Sequence, residues 1–360
     1  MSIRFIEGFD VIQAAGAAVD ANFVRRWTPD AGGLPSTKCT LVAGRLGGLA
    51  LHHLGGFAGG DALIMQSMQL AAAHRYVTVG FAFKKSTSVL GYLPILMDAL
   101  DNPQIYLSWT ASGGLDRIMI RSGDPAGVNT LLGTYDVDLG VDWHYFEFEV
   151  ILSTSVALGS ANLFIDGALV LAVSGVATAV NNNGVGSFSI NSMTGGTGTF
   201  DIDDLYVATS SNTPTGYQGD AVVEETLPTS NGATMDATPV GAANVFQCVD
   251  DPTNATDDDA TYGELIGVNK VALFGFPATT DYEETILAVE VEEIVRTSAG
   301  VNPFHAAEVA HGVDQATSTP TTTIGGTYGN VSNIMEVDPI TGAEWDIDDI
   351  NAAEFGIRQT

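Results

Sequence analysis

The pattern that most constrains the fold is a set of short segments in which apolar and polar side chains alternate. The clearest is the segment 142–151. Successive side chains of an extended chain point to opposite faces, which here puts His144, Phe146, Phe148 and Val150 on one face and Trp143, Tyr145, Glu147, Glu149 and Ile151 on the other. This period of two is typical of a β-strand with one buried face. Strand signals recur in residues 74–83, 104–109 and 117–121, so the sequence predicts an all-β protein.

Turn residues divide these segments into hairpins. Residues 161–173 carry the pair Asp166-Gly167 between two apolar runs, and this pair is a strong short-range signal for a hairpin. Further strands are predicted at 186–190 and 199–207. Short strands at this spacing, separated by glycine-rich turns, predict an antiparallel β-sandwich in the first part of the chain.

Three of these segments, taken in order, resemble a known fold family. A strand that begins near Trp143, the run Leu163-Phe-Ile-Asp-Gly167 and the run Phe200-Asp-Ile-Asp-Asp-Leu-Tyr-Val207 follow the order of concanavalin A-like, laminin-G-like jelly rolls. The resemblance covers roughly residues 3–210 and implies a jelly-roll sandwich. It implies no single activity, because this fold hosts lectins, hydrolases and spacer domains.

Length and composition predict a second domain after the sandwich. A chain of 360 residues is longer than a typical single domain, and residues 208–219 are polar and rich in turn-forming residues. We predict a jelly-roll domain at 1–209, a linker at 210–219 and a smaller acidic β-sandwich domain at 220–360, with its clearest strands at 270–276 and 285–296. The two cysteines, Cys39 and Cys248, fall in different domains. We expect two buried thiols, with a single bridge as the alternative.

The charge is strongly negative and unevenly distributed. The formal net charge is −30, and residues 211–360 hold 3 basic and 25 acidic side chains, against 10 and 18 in residues 1–210. Such a field repels phosphate backbones and anionic lipid heads, so we expect no nucleic-acid partner and no membrane insertion. The apolar windows are short, and we expect no signal peptide in residues 1–10.

The C-terminal residues carry a second resemblance. The runs Asp338-Pro-Ile-Thr-Gly-Ala-Glu-Trp345 and Ile350-Asn-Ala-Ala-Glu-Phe-Gly-Ile357 are similar to the ends of structural proteins of tailed-bacteriophage virions. The resemblance implies a tail, fibre, collar or capsid-surface protein that is not an enzyme. It also implies other virion proteins as partners, a homo-oligomer, adhesion to host-surface glycans, assembly in the host cytoplasm and release by lysis. A terminus docked by a turn and apolar side chains accounts for the same pattern without the family.

Two alternatives to the particle role rest on side chains of the predicted sandwich. Trp109, Trp143 and Tyr145 could stack on sugar rings in a carbohydrate-binding, lectin-like module, although aromatic residues on strands also form cores. Glu147 and Glu149 share a strand face and could supply the two carboxyl groups of a glycan hydrolase. The usual Glu-x-Asp-x-x-Glu pattern of such hydrolases is incomplete here, so a solvated outer face is the preferred interpretation of the pair.

No organic cofactor is predicted, and Ca²⁺ is the one metal that the sequence suggests. Its candidate ligands are Asp257, Asp258 and Asp259 in an acidic loop. A second candidate is the closing strand, where Asp201 and Asp203 are predicted to face away from Asp204. Ca²⁺ takes six to eight oxygen ligands, and the acidic loop does not have the spacing of a calcium loop. A solvated acidic loop and a structural strand are the competing interpretations.

Overall fold

The computed structural model describes residues 2–10, 28–29, 39–53, 62–65, 74–85, 91–125, 127–181, 184–192, 198–211, 213, 216–251, 258–279, 285–297, 304–318, 322–323 and 325–360. The chain divides into two compact units. The first extends to Val223, and the second runs from Glu224 to Thr360. Each unit has its own sheets and its own buried side chains.

The described part of the first unit is built from β-strands. In chain order these are β1 Ser2–Glu7, β2 Thr28–Pro29, β3 Cys39–Ala43, β4 Leu49–His53, β5 Ala62–Met65, β6 Tyr76–Lys85, β7 Gly91–Met97, β8 Pro103–Ser112, β9 Leu115–Gly123, β10 Asn129–Val137, β11 His144–Ile151, β12 Gly159–Ile165, β13 Ala168–Val176, β14 Ser187–Ser192 and β15 Phe200–Ser210.

These strands form two antiparallel sheets with an aromatic core between them. The eight-stranded sheet has the order β13-β12-β11-β6-β15-β4-β3, with β1 also paired to β15, and the seven-stranded sheet has the order β10-β9-β8-β7-β14-β5-β2. The ring of Phe83 stacks on Trp109 of the other sheet at 4.7 Å between centroids, and Trp109 lies 5.1 Å from Phe146. The predicted all-β sandwich of the jelly-roll type is confirmed.

Local sequence patterns set the strands next to the candidate site. Phe146 and Phe148 of β11 are fully buried, as the alternation of residues 142–151 predicted. The turn between β12 and β13 has φ values of 48° at Asp166 and 80° at Gly167, which are the left-handed values of a type I′ turn. The Asp166-Gly167 hairpin is therefore confirmed.

The second unit contains shorter strands and one helix in its described residues. These are β16 Ser230–Met235, β17 Thr238–Val240, β18 Tyr262–Glu264, β19 Lys270–Gly275, β20 Val289–Val295, β21 Phe304–His311, β22 Asp314–Thr317, β23 Thr322–Thr323, β24 Gly329–Met335, α1 Ile347–Ala352 and β25 Ala353–Gln359, with a 3₁₀ turn at Phe246–Cys248.

A six-stranded sheet forms the centre of the second unit. Its order is β16-β19-β25-β21-β22, with β23 on β21, while β20 and β24 form a separate two-stranded ribbon. Val289, Val291 and Met335 of the ribbon pack with Val309 and Phe355 of the sheet. The unit is therefore a small layered β structure, as predicted.

The C-terminal residues are firmly held in the second unit. The Trp345 indole is 3% exposed, and its Nε1 donates to the Met335 carbonyl at 3.0 Å. The Asp346 side chain caps α1 by accepting from the Asp349 backbone N–H. Strand β25 then pairs with β19 on one side and β21 on the other. A docked terminus is thus observed, as both interpretations of this stretch require.

Both cysteines are buried, Cys39 in the first unit and Cys248 in the second. Burial raises the pKa of the Cys39 thiol to about 12. Within the ranges given above, no helix has the length and apolar character needed to cross a bilayer.

Candidate functional site

The outer face of the eight-stranded sheet, turned away from the aromatic core, holds most of the residues that the sequence singled out. Glu147 of β11 and Tyr206 of β15 both lie beside Gly80 of β6 in the strand register. A Cβ at Gly80 would lie 2.0 Å from the Tyr206 ring. The missing side chain therefore lets the Tyr206 ring cross β6 and place its hydroxyl on Glu147.

Glu147 is fully buried on this face and is surrounded by donors. The Tyr206 hydroxyl donates to Oε2 at 2.7 Å, the Gln218 backbone N–H donates to Oε1 at 2.9 Å, and the Gly219 N–H donates to Oε2 at 3.2 Å. Burial raises the pKa of Glu147 to about 7, although these hydrogen bonds act in the opposite direction. Burial is thus the larger of the two effects.

Arg45, in the loop between β3 and β4, is the centre of a second cluster on the same face. Its Nη1 lies 3.3 Å from Asp204 Oδ2, its Nη2 contacts the Asp220 carboxylate, and its guanidinium lies 5.4 Å from the Tyr145 ring centroid. The Arg45 backbone N–H donates to Asp203 Oδ2 at 2.8 Å. The side chain of Arg45 is only 15% exposed, so its contacts fix the direction of the guanidinium.

The prediction that Asp203 and Asp204 face opposite ways is wrong. The register of β15 shifts between Asp203 and Tyr206, and Asp204 has a φ of 51°. This β-bulge re-aims a side chain, so both carboxylates reach Arg45. Burial, joined by repulsion from Asp204, raises the pKa of Asp203 to about 8. Burial also raises the pKa of Asp204 to about 6, although the Val223 N–H and the Arg45 guanidinium act in the opposite direction.

A short segment after β15 lies across this face, and we call residues 216–223 the strap. Tyr217 stacks on Phe164 of β12 with 4.8 Å between ring centroids. Gln218 and Gly219 contact Glu147, Asp220 contacts Arg45, and the Val223 N–H donates to Asp204 Oδ1 at 2.8 Å. Residues 216–219 of the predicted linker are therefore packed on the first unit.

Next to the strap, four side chains form a row across neighbouring strands, and we call Trp143, Lys84, Asp201 and His52 the polar row. Lys84 pairs with Asp201 in the strand register, and Asp201 pairs with His52. The His52 Nδ1 is hydrogen-bonded to Asp201 Oδ1, and Lys84 Nζ lies 3.9 Å from Asp201 Oδ2 and 5.5 Å from the Trp143 ring centroid. The row is partly open to solvent.

Two of the three predicted sugar-contacting residues are not available to a ligand. Trp109 is 2% exposed and packs between Phe83 and Phe146 in the core. Tyr145 is 3% exposed, and its hydroxyl donates to the Asp204 carbonyl at 3.4 Å. Trp143 differs from both because it is only partly buried.

Glu147 and Glu149 do not form a solvent-facing pair. Glu147 is 0% exposed under the strap, whereas Glu149 is partly exposed and accepts from Asn162 Nδ2 at 3.2 Å. The interpretation of both residues as a solvated outer face is therefore wrong for Glu147. A hydrolase that used this pair would have to bring its substrate to the Glu147 carboxylate, which the strap covers.

Of the three acidic residues proposed for Ca²⁺, Asp258 and Asp259 make contacts with other protein groups. Asp257 lies outside the described residues. Asp259 forms an ion pair with Arg296, and the Tyr328 hydroxyl donates to the Asp258 carbonyl at 3.1 Å. Across the described ranges, no group of three or more His, Cys, Asp or Glu side chains is arranged to hold a metal ion.

Sequence patterns missed Arg45, Tyr206 and the strap. Arg45 stands in a glycine-rich stretch that resembles an ordinary turn, and Tyr206 lies 59 residues from Glu147 in the sequence. Arg45 contacts the strap across still longer separations, up to 176 residues between Arg45 and Ala221. The one sequence feature that could have indicated this site is Arg45 itself, a single basic residue in an apolar, glycine-rich stretch.

Comparison with known proteins gives structural similarities at low sequence identity and low TM-score. No family model matches the sequence, and no curated protein matches it. A carbohydrate esterase from the Shiga toxin-encoding bacteriophage phi24B is 17% identical, with 57% of this chain and 100% of that chain covered at a TM-score of 0.38. An endo-β-1,4-glucuronan lyase from the fungus Trichoderma reesei is 14% identical, with 58% and 96% covered at 0.38. An endo-1,3-β-glucanase from Streptomyces sioyaensis is 14% identical, with 58% of this chain and 96% of that chain covered at a TM-score of 0.38.

These similarities correct one prediction. The sequence led us to expect that the chain is not an enzyme, yet the similar structures are an esterase, a lyase and a glucanase. The fold therefore gives no ground for excluding catalysis. At such low identity the likeness concerns the fold and assigns no residue a role.

Proposed function

We propose that this protein is a glycan-binding component of a tailed-bacteriophage particle and that the polar row makes the contact. The observation that carries the proposal is the position of Trp143. The described tryptophans Trp109 and Trp345 are core residues at 2% and 3% exposure, whereas Trp143 lies partly exposed beside Lys84. An aromatic ring beside a few placed polar groups is a typical arrangement for binding a small polar ligand.

The polar row supplies the two kinds of contact that a saccharide uses. The Trp143 ring offers an apolar surface to the C–H face of a sugar. Asp201 accepts hydrogen bonds from hydroxyl groups, while Lys84 donates them. Adjacent strands are about 4.8 Å apart, so four neighbouring positions span about 14 Å. This length favours an oligosaccharide over a single sugar.

The test is a binding measurement on the full chain. An array of bacterial surface polysaccharides identifies the bound saccharide, and calorimetry then compares Trp143→Ala with the unmodified protein. We expect Trp143→Ala to weaken binding at least about ten-fold, which corresponds to about 1.4 kcal/mol. Tyr262→Ala, a partly exposed aromatic of the second unit, is the matched control and should bind as before. Equal affinity of both variants would rule out the polar row.

The particle role is supported by the C-terminal resemblance, whose residues include Trp345 and Phe355. Under this proposal the protein is located in the virion, binds other virion proteins and further copies of itself, and reaches host-surface glycans through the first unit. Mass spectrometry of purified particles, made by the phage whose genome encodes this chain, should detect it in constant ratio to the capsid protein. Its absence from the particles would reject this role and leave glycan binding to be judged separately.

A further inference from the structure

The strap is held by side chains and not by a sheet. Residues 216–223 have no strand assignment. The backbone N–H groups of Gln218 and Val223 donate to the carboxylates of Glu147 and Asp204, and the Ala221 carbonyl accepts from Arg45. Gly216 and Gly219 have φ values of 79° and 101°, which favour glycine. Tyr217 is 41% exposed, and the side chain of Asp220 is 48% exposed. The strap can therefore leave the face without breaking a strand pairing.

Each strap contact has the chemistry of a ligand contact. Tyr217 lays a ring on the face of Phe164. The N–H groups of Gln218 and Gly219 donate to Glu147, as hydroxyl groups would. Asp220 presents a carboxylate to Arg45. Along the strap, a ring is followed by two hydrogen-bond donors and then by a carboxylate. An acidic oligosaccharide carries the same three kinds of group: sugar rings, hydroxyl donors and carboxylates.

The surface beneath the strap is prepared for an anion. Arg45 is oriented by Asp204 at 3.3 Å and by the Tyr145 ring at 5.4 Å, and a planar guanidinium can bind a carboxylate with two parallel hydrogen bonds. An anionic ligand reaches this guanidinium by replacing the Asp220 carboxylate, while Asp204 keeps the guanidinium in place.

We propose that the strap occupies a binding site for an acidic oligosaccharide of the uronic-acid type, which displaces it. A sugar ring then stacks on Phe164, ring hydroxyls donate to Glu147, and a uronate carboxylate replaces Asp220 on Arg45. The site is separate from the polar row and extends the proposed glycan binding by naming the class of sugar, so it rests on that proposal for its biological meaning. Its chemistry is tested independently of Trp143.

The experiment loosens the strap in the full chain and measures binding of hexagalacturonate, with cellohexaose as the neutral probe. The loosened protein carries Tyr217→Ala and Asp220→Asn, both at half-exposed positions. We expect it to bind hexagalacturonate at least ten-fold tighter than the unmodified protein and to show no comparable gain for cellohexaose. Adding Arg45→Gln to the loosened protein should remove the gain in affinity. Adding Arg45→Lys instead should keep only part of the gain, because an ammonium group cannot make the two parallel hydrogen bonds of a guanidinium.

Two further measurements keep the outcome clear. In the unmodified protein, saturating hexagalacturonate should speed hydrogen exchange at the Gln218 and Gly219 amides, because the strap leaves Glu147. Tyr262→Ala in the loosened protein, at a partly exposed position of the second unit, should leave hexagalacturonate binding unchanged. The proposal is overturned if the loosened protein gains no affinity, gains it equally for both probes, or keeps the gain after Arg45→Gln. Unchanged circular dichroism shows that each variant is folded.

Discussion

At the scale of single residues, the groups with the largest consequences are ionisable side chains that water does not reach. In the second unit, Glu293 Oε2 of β20 lies 3.1 Å from His305 Nε2 of β21. Neither side chain has a hydrogen-bond partner among the described residues. Burial raises the pKa of Glu293 to about 8 and lowers the pKa of His305 to about 4. The pair is therefore neutral near pH 6, and it is not a salt bridge there.

These pKa values define how the stability of the second unit changes with pH. The contribution of Glu293 is complete below its unfolded pKa of 4.5 and is lost as the pH rises to about 8. The contribution of His305 is complete above its unfolded pKa of 6.5 and is lost as the pH falls to about 4. Between pH 4.5 and 6.5, the stability lost through Glu293 is balanced by the stability gained through His305. Above pH 6.5 only the loss through Glu293 continues, up to about pH 8.

We predict that Glu293→Gln removes the decline in stability of the second unit between pH 6.5 and 8. A glutamine has no proton to lose, while Glu293 costs up to about 1.4 kcal/mol for each pH unit in this range. Hydrogen exchange of β20 and β21, corrected for intrinsic rates, measures the free energy of opening at pH 6, 7 and 8. Glu264→Gln, at an exposed position of β18, should keep the original slope. A decline that persists in Glu293→Gln would contradict the assignment.

Residue types alone could locate the candidate face but not its accessibility. The alternation in residues 142–151 placed Trp143, Tyr145 and Glu147 on one face correctly. Whether each side chain is open depends on segments far away in the sequence, because Glu147 is covered by residues 71 and 72 positions later. Trp109 and Trp143 both lie in predicted strands, and the sequence does not distinguish them. Trp109 is a core residue because it packs against Phe83 and Phe146 of the opposite sheet.

At the scale of elements, close packing of β25 between β19 and β21 is the main constraint in the second unit. A Cβ at Gly356 of β25 would lie 1.9 Å from the Ala272 carbonyl oxygen of β19. Backbone atoms of a central strand cannot move aside as the end of a long side chain can. The position therefore requires glycine for space.

We predict that Gly356→Ala destabilises the second unit by about 3 kcal/mol, because the added methyl group forces β19 and β25 apart. Chemical denaturation followed by hydrogen exchange in β19, β21 and β25 measures the loss. Gly329→Ala, at the start of β24 where nothing lies within 4 Å of the new Cβ, should change stability by less than about 0.5 kcal/mol. Equal effects of the two substitutions would show that β25 is not closely packed.

Elements with strong local signals could be predicted, and their pairing could not. Strand β11 and the hairpin at Asp166-Gly167 follow from alternation and turn chemistry. The neighbours of β15 are β1, β6 and β4, which are far from it in the chain, so no local pattern selects them. The β-bulge at Asp204 was missed for the same reason: its position depends on the register with β6.

At the scale of the whole molecule, charge is the property that most separates the two units. All three basic residues of 211–360 are in ion pairs: Lys270 with Asp236, Arg296 with Asp259, and Arg358 with Glu308. The same stretch holds 25 acidic residues. With three basic residues against 25 acidic ones, this stretch is strongly negative, and its carboxylates repel one another.

We predict that salt stabilises the second unit more than the first. Raising NaCl from about 10 mM to about 200 mM shortens the screening length from roughly 30 Å to below 10 Å and weakens the repulsion among exposed carboxylates. Hydrogen exchange read separately in strands of each unit measures the two changes in one sample. The first unit, with 10 basic and 18 acidic residues in 1–210, is the internal control. Equal shifts in both units would mean that self-repulsion is not significant.

The position of β25 also determines when the second unit can fold during synthesis. The sheet order places β25 between β19 and β21, although it follows both of them in the chain. A ribosome must therefore deliver residues 353–359 before β19 and β21 acquire their shared neighbour. Until then the nascent polypeptide carries two open strand edges, and a product that stops before residue 353 cannot close this sheet.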